Sequence, residues 1–472
     1  MKQNKAKRRF TLGMTLLERR SLFSLAGIYS LRMLGLFLIL PVFSLYAHDL
    51  QGATPALIGL ALGAYGITQA LLQIPFGLLS DRIGRKPIIT AGLILFALGS
   101  IVAAMADTIA GVIIGRALQG TGAIAAAVMA LVADLTREEQ RTKAMALIGL
   151  SIGMSFAVAL AAGPVLNQWI GVPGLFWLTA ILAVLGIAVL HLGVPQVTAP
   201  RHHLDVEPAP QQFLRVLGDF QLMRLALGIF FLHLLLTASF VVLPISLRDE
   251  SGLDPAYHGY VYLPVLVTSI IAMVPFIILA EKKRRMKEVF IGAVAVLGLA
   301  ELAWRFFHPS LAGTIVALWL FFTAFNLLEA TLPSLVSKQS PAGSKGTAMG
   351  VYSTCQFLGA FVGGWAGGAV YGYFGFEGVF TFCAGIVALW LIFAATMEPP
   401  QYLRSQTLSI GKVNPDEAQL LAKRLAQVTG VADVVVVAEE GIAYLKVDDE
   451  RLDKAALTEI GPEQMQSTQP SI

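Results

Sequence analysis

The chain has 472 residues, 56% of them hydrophobic and 14% charged, with a mean hydropathy of +0.71. Soluble domains carry roughly 25% charged residues, so the composition excludes an ordinary soluble globule and indicates a membrane protein. The formal charge of +4 divides unevenly: from Gln401 onward seven Lys/Arg stand against eleven Asp/Glu, leaving the tail at −4 and the apolar part at +8.

Spans of ~20 apolar residues are expected at 22–46, 55–79, 88–106, 109–133, 143–168, 172–193, 222–247, 257–280, 288–307, 311–336, 346–372 and 376–397. A basic run (Lys2, Lys5, Lys7, Arg8, Arg9, Arg19, Arg20) precedes the first. No small-residue cleavage site follows a short apolar core, so this span reads as retained rather than as a cleaved signal. Odd-numbered loops contain almost no Lys or Arg, with Arg248 and Arg305 as exceptions. Even-numbered loops carry Arg82/Arg85/Lys86, Arg137/Arg141/Lys143, Arg201/Arg215, Lys282–Arg285 and Lys338/Lys345. Cytoplasmic loops are the basic ones, which places both termini in the cytoplasm and makes the positive excess a topology signal rather than a nucleic-acid footprint. Cys355 and Cys383 both lie within spans, and neither suggests a disulfide framework or a zinc site.

Between spans 2 and 3 the chain reads Gly77–Leu78–Leu79–Ser80–Asp81–Arg82–Ile83–Gly84–Arg85–Lys86. This hinge resembles the loop signature of the major facilitator superfamily, G-x-x-x-D-R-x-G-R-K, with every defining position filled. The resemblance implies a conformational latch made by Gly77, Asp81, Arg82, Gly84, Arg85 and Lys86, in which Asp81 meets the start of span 11 near Gly346–Thr347 and holds the outward-facing state. A carboxylate is favoured at a helix N-terminus, which agrees. Asp134, at the end of span 4 in the similar stretch Asp134–Glu138, is a second latch candidate.

Gly115–Gly122 in span 4 resembles the family's R-x-x-Q-G-x-G signature, which implies proton coupling through Arg116. Gln119 stands one turn away on the same helix face. Gly35…Pro41 resembles a drug-antiporter signature, with Ser44 in place of its last proline. Gly163–Pro164 matches the core of the antiporter pattern G-x-x-x-G-P-x-x-G-G, although Ala159 and Asn167–Gln168 depart from it. That departure weakens antiport specifically and leaves the superfamily reading untouched.

Ionisable groups inside spans are functional candidates. His233 lies mid-span in helix 7, and Glu329 lies in helix 10 one turn after Asn326. A lone His at this depth is as often a packing residue. A carboxyl group there suits gain and loss of a proton as access alternates. Glu301 and Arg305, spaced i, i+4, are expected to neutralise each other. Arg32, Tyr65, Gln69, Gln73, Gln119, Asn326 and Gln356 are the expected polar walls of a substrate cavity.

The chain repeats itself. Pro75–Phe76 through Arg85 lines up with Pro275–Phe276 through Arg285, where Ile277 and Arg284 replace Gly77 and Gly84, and Arg141–Met145 lines up with Lys345–Met349. Two copies in one orientation imply two six-helix halves related about the membrane normal. The expected organisation is residues 1–193, a proline-bearing linker 194–221 (Pro195, Pro200, Pro208, Pro210), residues 222–398, and a tail domain 405–472.

In the tail, a strand is expected at Thr407–Lys412, a helix from Asn414 to about Gly430, a hairpin of Val431–Ala438 and Ile442–Val447 about Glu439–Gly441, and a helix at Arg451–Ile460. This βαββα order resembles a small ferredoxin-like domain, similar to heavy-metal-associated domains without their Cys-x-x-Cys. It is similar to the module appended to one bacterial group of these transporters. With neither Cys nor His in the tail, no metal site is expected. Its acidic surface (Asp448, Asp449, Glu450) reads first as a solvated face; cation binding, docking on the basic loops and self-association by strand pairing are the alternatives.

The fold class expected is therefore an all-α membrane protein of twelve spans plus a small α+β cytoplasmic domain, in a bacterial inner membrane. The resemblance implies proton-coupled export of a small amphipathic solute by alternating access, driven by the proton gradient without a cofactor. Symport or facilitated diffusion is an alternative within transport, and a transporter-like sensor signalling through the tail is an alternative of another class. No P-loop, Cys/His metal cluster or G-x-S-x-G elbow is present, so an enzyme is not expected and no catalytic residue is assigned.

Overall fold

A computed structural model of the chain describes residues 14–196, 212–399, 403–411, 413–438, 441–448 and 451–459. The first basic run up to Arg9, most of the linker (Pro200, Arg201, Pro208 and Pro210), and Lys412, Glu439, Glu440, Asp449, Glu450 and Ile460 lie outside the described residues. The helices are α1 (Leu16–Phe37), α2 (Phe43–Ala47), α3 (Pro55–Ile83), α4 (Arg85–Ala104), α5 (Ile109–Thr121), α6 (Ala125–Leu135), α7 (Glu138–Gly193), α8 (Phe213–Leu217), α9 (Phe220–Asp249), α10 (His258–Lys282), α11 (Met286–Phe307), α12 (Leu311–Gln339) and α13 (Lys345–Ala395). Among the described residues, nine helical stretches are long and apolar enough to cross a membrane.

Two of these stretches, in α7 and α13, are pairs of helices joined at a glycine. Gly171 (φ 66°) and Gly375 (φ 66°) leave helical geometry at equivalent places, 204 positions apart. Left-handed backbone strains any side chain with a Cβ, so glycine marks both corners. A second equivalent pair is Gly84 (φ 106°) and Arg284 (φ 53°), where the later copy makes the same kind of corner without a glycine.

The expected first span, 22–46, is not one helix. It opens at Leu38–Val42, between α1 and α2. Pro41 has no N–H to continue the ladder, and Gly163 of α7 lies so close that a Cβ there would meet the Leu38 carbonyl at 2.5 Å. The fourth span opens likewise at Gly122–Ile124, between α5 and α6.

The helices of residues 14–196, the first half of the bundle, and those of residues 212–399, the second, meet on a glycine seam. Gly59, Gly63 and Gly66 of α3 lie against Gly364, Gly368, Phe361 and Phe357 of α13; a Cβ at Gly59 would stand 2.0 Å from the Gly364 carbonyl oxygen. On another face of α13, Gly359, Gly363 and Gly367 lie against Phe230, Leu234 and Ala238 of α9. Small residues at these spacings let helix backbones approach where lipid supplies no hydrophobic drive. Phe156 of α7 adds an aromatic contact between halves, 6.0 Å from the ring of Phe322 and 6.2 Å from that of Phe325.

The tail forms β1 (Arg404–Ser409), α14 (Pro415–Ala426), β2 (Val431–Val437), β3 (Ile442–Val447) and α15 (Lys454–Glu459), with an antiparallel sheet in the order β1-β3-β2. The first strand begins and ends about three residues earlier than expected, because Gly411 turns the chain at φ 73°. Asn414 and Glu417 form a reciprocal capping box that starts α14. Leu421 and Leu425 pack with Ala443, Leu445 and Val447 in the domain's own core.

The sheet touches the end of α12. The Lys446 ammonium, 3% exposed, donates to the carbonyls of Ser337 (2.6 Å) and Lys338 (3.3 Å), carbonyls of the helix's last turn. Asp433 accepts from the Ala342 amide (2.8 Å) and from Arg215 (3.4 Å). Burial, with the charge of Lys345 adding and Asp433 opposing, pushes Lys446 down to about 8.

Glu18 fastens the start of α1. It completes a capping box with Thr15 and accepts from the Arg137 amide (3.0 Å) and guanidinium (2.9 Å). The Arg137 guanidinium, against the opposing push of burial, holds this carboxyl at about 2 instead of 4.5. A folded-state value below the unfolded one contributes stability above the unfolded value and loses it as pH falls through the folded one. Glu18→Gln should therefore cost about 1 kcal/mol at neutral pH, a modest sum because Arg137 is partly exposed. The gap in melting temperature from wild type should close as pH falls from 4.5 toward 2; a pH-independent gap would remove the ion pair as its cause.

Candidate functional site

At the α3–α4 corner, the positive φ of Gly84 turns the chain so that Arg85 points back into the bundle, 4% exposed. Its guanidinium is held by the Ser80 hydroxyl (2.8 Å), the Asp81 carboxylate and Asp134 (3.3 Å). Lys86 donates to the Val194 carbonyl, and Arg82 is exposed. Gly77 lets α6 approach, since a Cβ there would meet that of Ala126 at 2.9 Å. The structure thus gathers Asp81, Arg85 and Asp134 into one ion cluster that fastens α3 and α4 to the end of α6.

Inside the first half, Arg32 of α1 is fully buried. One of its terminal nitrogens donates to the Tyr65 hydroxyl (2.6 Å), to Gln69 Oε1 (2.8 Å) and to the Gly122 carbonyl (3.1 Å). That carbonyl lies where the fourth span opens. Arg116 of α5 donates to Gln119 Oε1 (2.8 Å) and to the carbonyls of Ala61 (3.4 Å) and Leu62 (3.3 Å), and Gln119 in turn donates to the Ser100 hydroxyl (2.7 Å). Both guanidinium carbons lie within 6 Å of the Tyr65 ring centre, at 5.8 and 5.5 Å, the range of cation–π attraction. Arg32, Tyr65, Gln69, Arg116 and Gln119 are therefore one network.

In the second half, the Gln356 amide of α13 bridges His233 of α9 (2.9 Å to Nε2) and Glu329 of α12 (3.2 Å to Oε1); His233 Nε2 stands 3.9 Å from Glu329 Oε2. Asn326 is apart from this group and donates to Ser269 of α10 (3.1 Å). Gln73 crosses between halves, from α3 to the Gly350 carbonyl (3.3 Å) and Thr354 hydroxyl (3.2 Å) of α13. Tyr65 also reaches the other half, its ring 6.0 Å from that of Phe357.

The expected Glu301–Arg305 pair does not form. Glu301, 0% exposed, accepts from the Ser239 hydroxyl at 3.0 Å, whereas Arg305 in the last turn of α11 reaches Glu377 at 2.9 Å. One residue faces the bundle and the other snorkels to the helix end. Ser100, Ser239 and the Gly122 carbonyl were not singled out from the sequence, because a hydroxyl or a carbonyl acquires a role only once a helix opening or a neighbouring span brings a charge to it.

A family model described as Major Facilitator Superfamily matches residues 25–363 and 225–426. The chain belongs to that superfamily. It is 49% identical to the inner membrane transport protein YajR of Escherichia coli (strain K12), over 91% of this chain and 94% of that one. It is 26% identical to the multidrug resistance protein MdtH of Aeromonas salmonicida (strain A449), over 73% of this chain and 86% of that one. Among solved structures, a bacterial homologue of the human lysosomal transporter Spinster, in an inward-facing and occupied conformation, has the same fold with a TM-score of 0.66 at 15% identity, covering 81% of this chain and 96% of that one. The chain is a transporter-family membrane protein of mostly helical fold.

The corner cluster gives a stability test. Asp134→Asn removes a carboxylate whose side chain is 2% exposed from a guanidinium 3% exposed. Arg85 keeps Asp81 and Ser80, so the loss is that of one charged hydrogen bond, about 2 kcal/mol, and the melting temperature of the purified protein should fall clearly. Arg82→Gln, at an exposed position, should change it little. Equal effects would mean that the Arg85–Asp134 pair does not hold the corner.

Proposed function

We propose that the protein is a proton-coupled secondary transporter that exports a small amphipathic solute by alternating access, in the inner membrane of a bacterium. The observation that carries this reading is the Glu329–Gln356–His233 cluster, which joins an ionisable carboxyl to two interior helices of one half, beside the seam with the other. In lipid such groups are retained for function. The relatives YajR and MdtH, a transport protein and a multidrug resistance protein by name, agree with transport and with export.

Counting the first helical pair as one span, and the two glycine-jointed elements as two spans each, brings the nine stretches to twelve. These form two six-helix halves, residues 1–193 and 222–398, joined by the linker 194–221. The positive-inside rule puts the even-numbered loops and both termini in the cytoplasm. The tail 405–472, with β3 between β1 and β2, is read as ferredoxin-like, and its contacts through Lys446 and Asp433 as docking that governs the end of α12. Asp81 and its corner act as the latch between halves, Arg116 supports proton coupling, and Gln73 and Asn326 line the solute path.

The test is proton flux in liposomes under an imposed pH gradient, challenged with panels of organic anions, lipophilic cations, sugars and amino acids. Wild type should show solute-triggered proton movement, and Glu329→Gln should reduce it by about tenfold or more. Equal fluxes in both proteins would remove the proton from α12.

A further inference from the structure

The ionisable groups at membrane depth are divided by half. No Asp or Glu occurs within the six expected spans of residues 22–193; the carboxylates of this half, from Glu18 to Glu139, all stand at span ends or in loops. Two buried arginines remain there, Arg32 at 0% and Arg116 at 4% exposure. Their states of satisfaction differ. Each guanidinium nitrogen of Arg116 has an acceptor. Arg32 is held through one nitrogen only, and its Nε and Nη1, together with the amide nitrogen of Gln69, are buried without a partner.

All three unpartnered atoms are donors, they belong to side chains bonded to each other, and both residues are fully buried. Unmet donors beside a charge that no carboxylate balances ask for a group that accepts several hydrogen bonds and is negative. A carboxylate, sulfonate or phosphate supplies two or three such oxygens, two of which can meet a guanidinium in its plane. Tyr65, which bonds Arg32 and meets Phe357 of the other half, sets this point one side chain from the seam.

We propose that Arg32, with Gln69, receives the anionic group of the solute, so that the class recognised is a small organic anion. The inference rests on the transport reading for its purpose and on the donors of Arg32 and Gln69 for its chemistry. The proton-bearing cluster stands on the opposite half, so the proton and the anion do not compete for one group.

The experiment is ligand-induced thermal stabilisation of the purified full-length protein, followed by equilibrium binding. The probes are benzoate, naphthalene-2-sulfonate and phenyl phosphate, set against uncharged benzamide and cationic benzyltrimethylammonium. At least one anion should bind wild type while benzamide and the cation do not. Arg32→Gln should weaken that anion about tenfold or more, the loss of a charge-assisted hydrogen bond, and Arg32→Lys should retain part of the affinity. Equal binding of benzamide, preference for the cation, anion binding unaltered in Arg32→Gln, or no anion binding to folded wild type would each overturn the proposal. The wild-type comparison decides the charge preference even where a variant fails to fold. Proton-coupled flux of a cation would sink this proposal and leave the transport reading standing; Arg32-dependent anion binding without any flux would do the reverse.

Discussion

A guanidinium at membrane depth can be kept only if the fold brings acceptors to it, because lipid offers none. Arg32 sets that requirement in the first half. Its three partners come from two places: the Tyr65 hydroxyl and Gln69 amide oxygen from α3, and the Gly122 carbonyl from the opening between α5 and α6. A continuous helix would have used that carbonyl in its own ladder. The opening is therefore part of the same arrangement as the charge, and Gly92 and Gly122, too close for side chains, provide the room.

The second half follows another plan. Its interior carries a carboxyl on α12 and an imidazole on α9, 3.9 Å apart and bridged by an amide on α13 that is within hydrogen-bonding reach of both. The α13 helix links the two plans. One face of it, with Gly364 and Gly368, lies against α3, which carries Tyr65 and Gln69; another, with Gly359, Gly363 and Gly367, lies against α9, which carries His233. A rotation of α13 would thus be felt by both clusters. The tail touches the same helix: Lys446 sits on the end of α12, eight to nine residues from Glu329.

Much of this was legible because charges in an apolar chain are few and each must be accounted for. The corner signature, the basic loops and the candidates Arg32, Arg116, His233 and Glu329 stood out against a background of Leu, Ala and Val. The grouping of these residues was not legible: Arg32 and Arg116 share the Tyr65 ring although they belong to different spans, and Asn326 bonds away from Glu329 although it is one turn from it. The Glu301–Arg305 expectation erred because i, i+4 spacing brings two residues near each other without deciding which way each faces. The glycine seam was missed although its signal, Gly at i and i+4 in two registers through Gly359–Gly368, is present in the sequence. The first span read as continuous because apolar composition runs unbroken through Pro41.

The central claim is that the Glu329 cluster carries an exchangeable proton and is linked to solute binding at Arg32. Difference infrared spectroscopy of the carboxylic-acid carbonyl stretch, recorded across pH on the full-length protein in lipid, tests it most directly. A titrating band should be present in wild type, be lost in Glu329→Gln, and move when an anion binds, with no movement in Arg32→Gln. An identical band pattern in wild type and Glu329→Gln at every pH would contradict the claim.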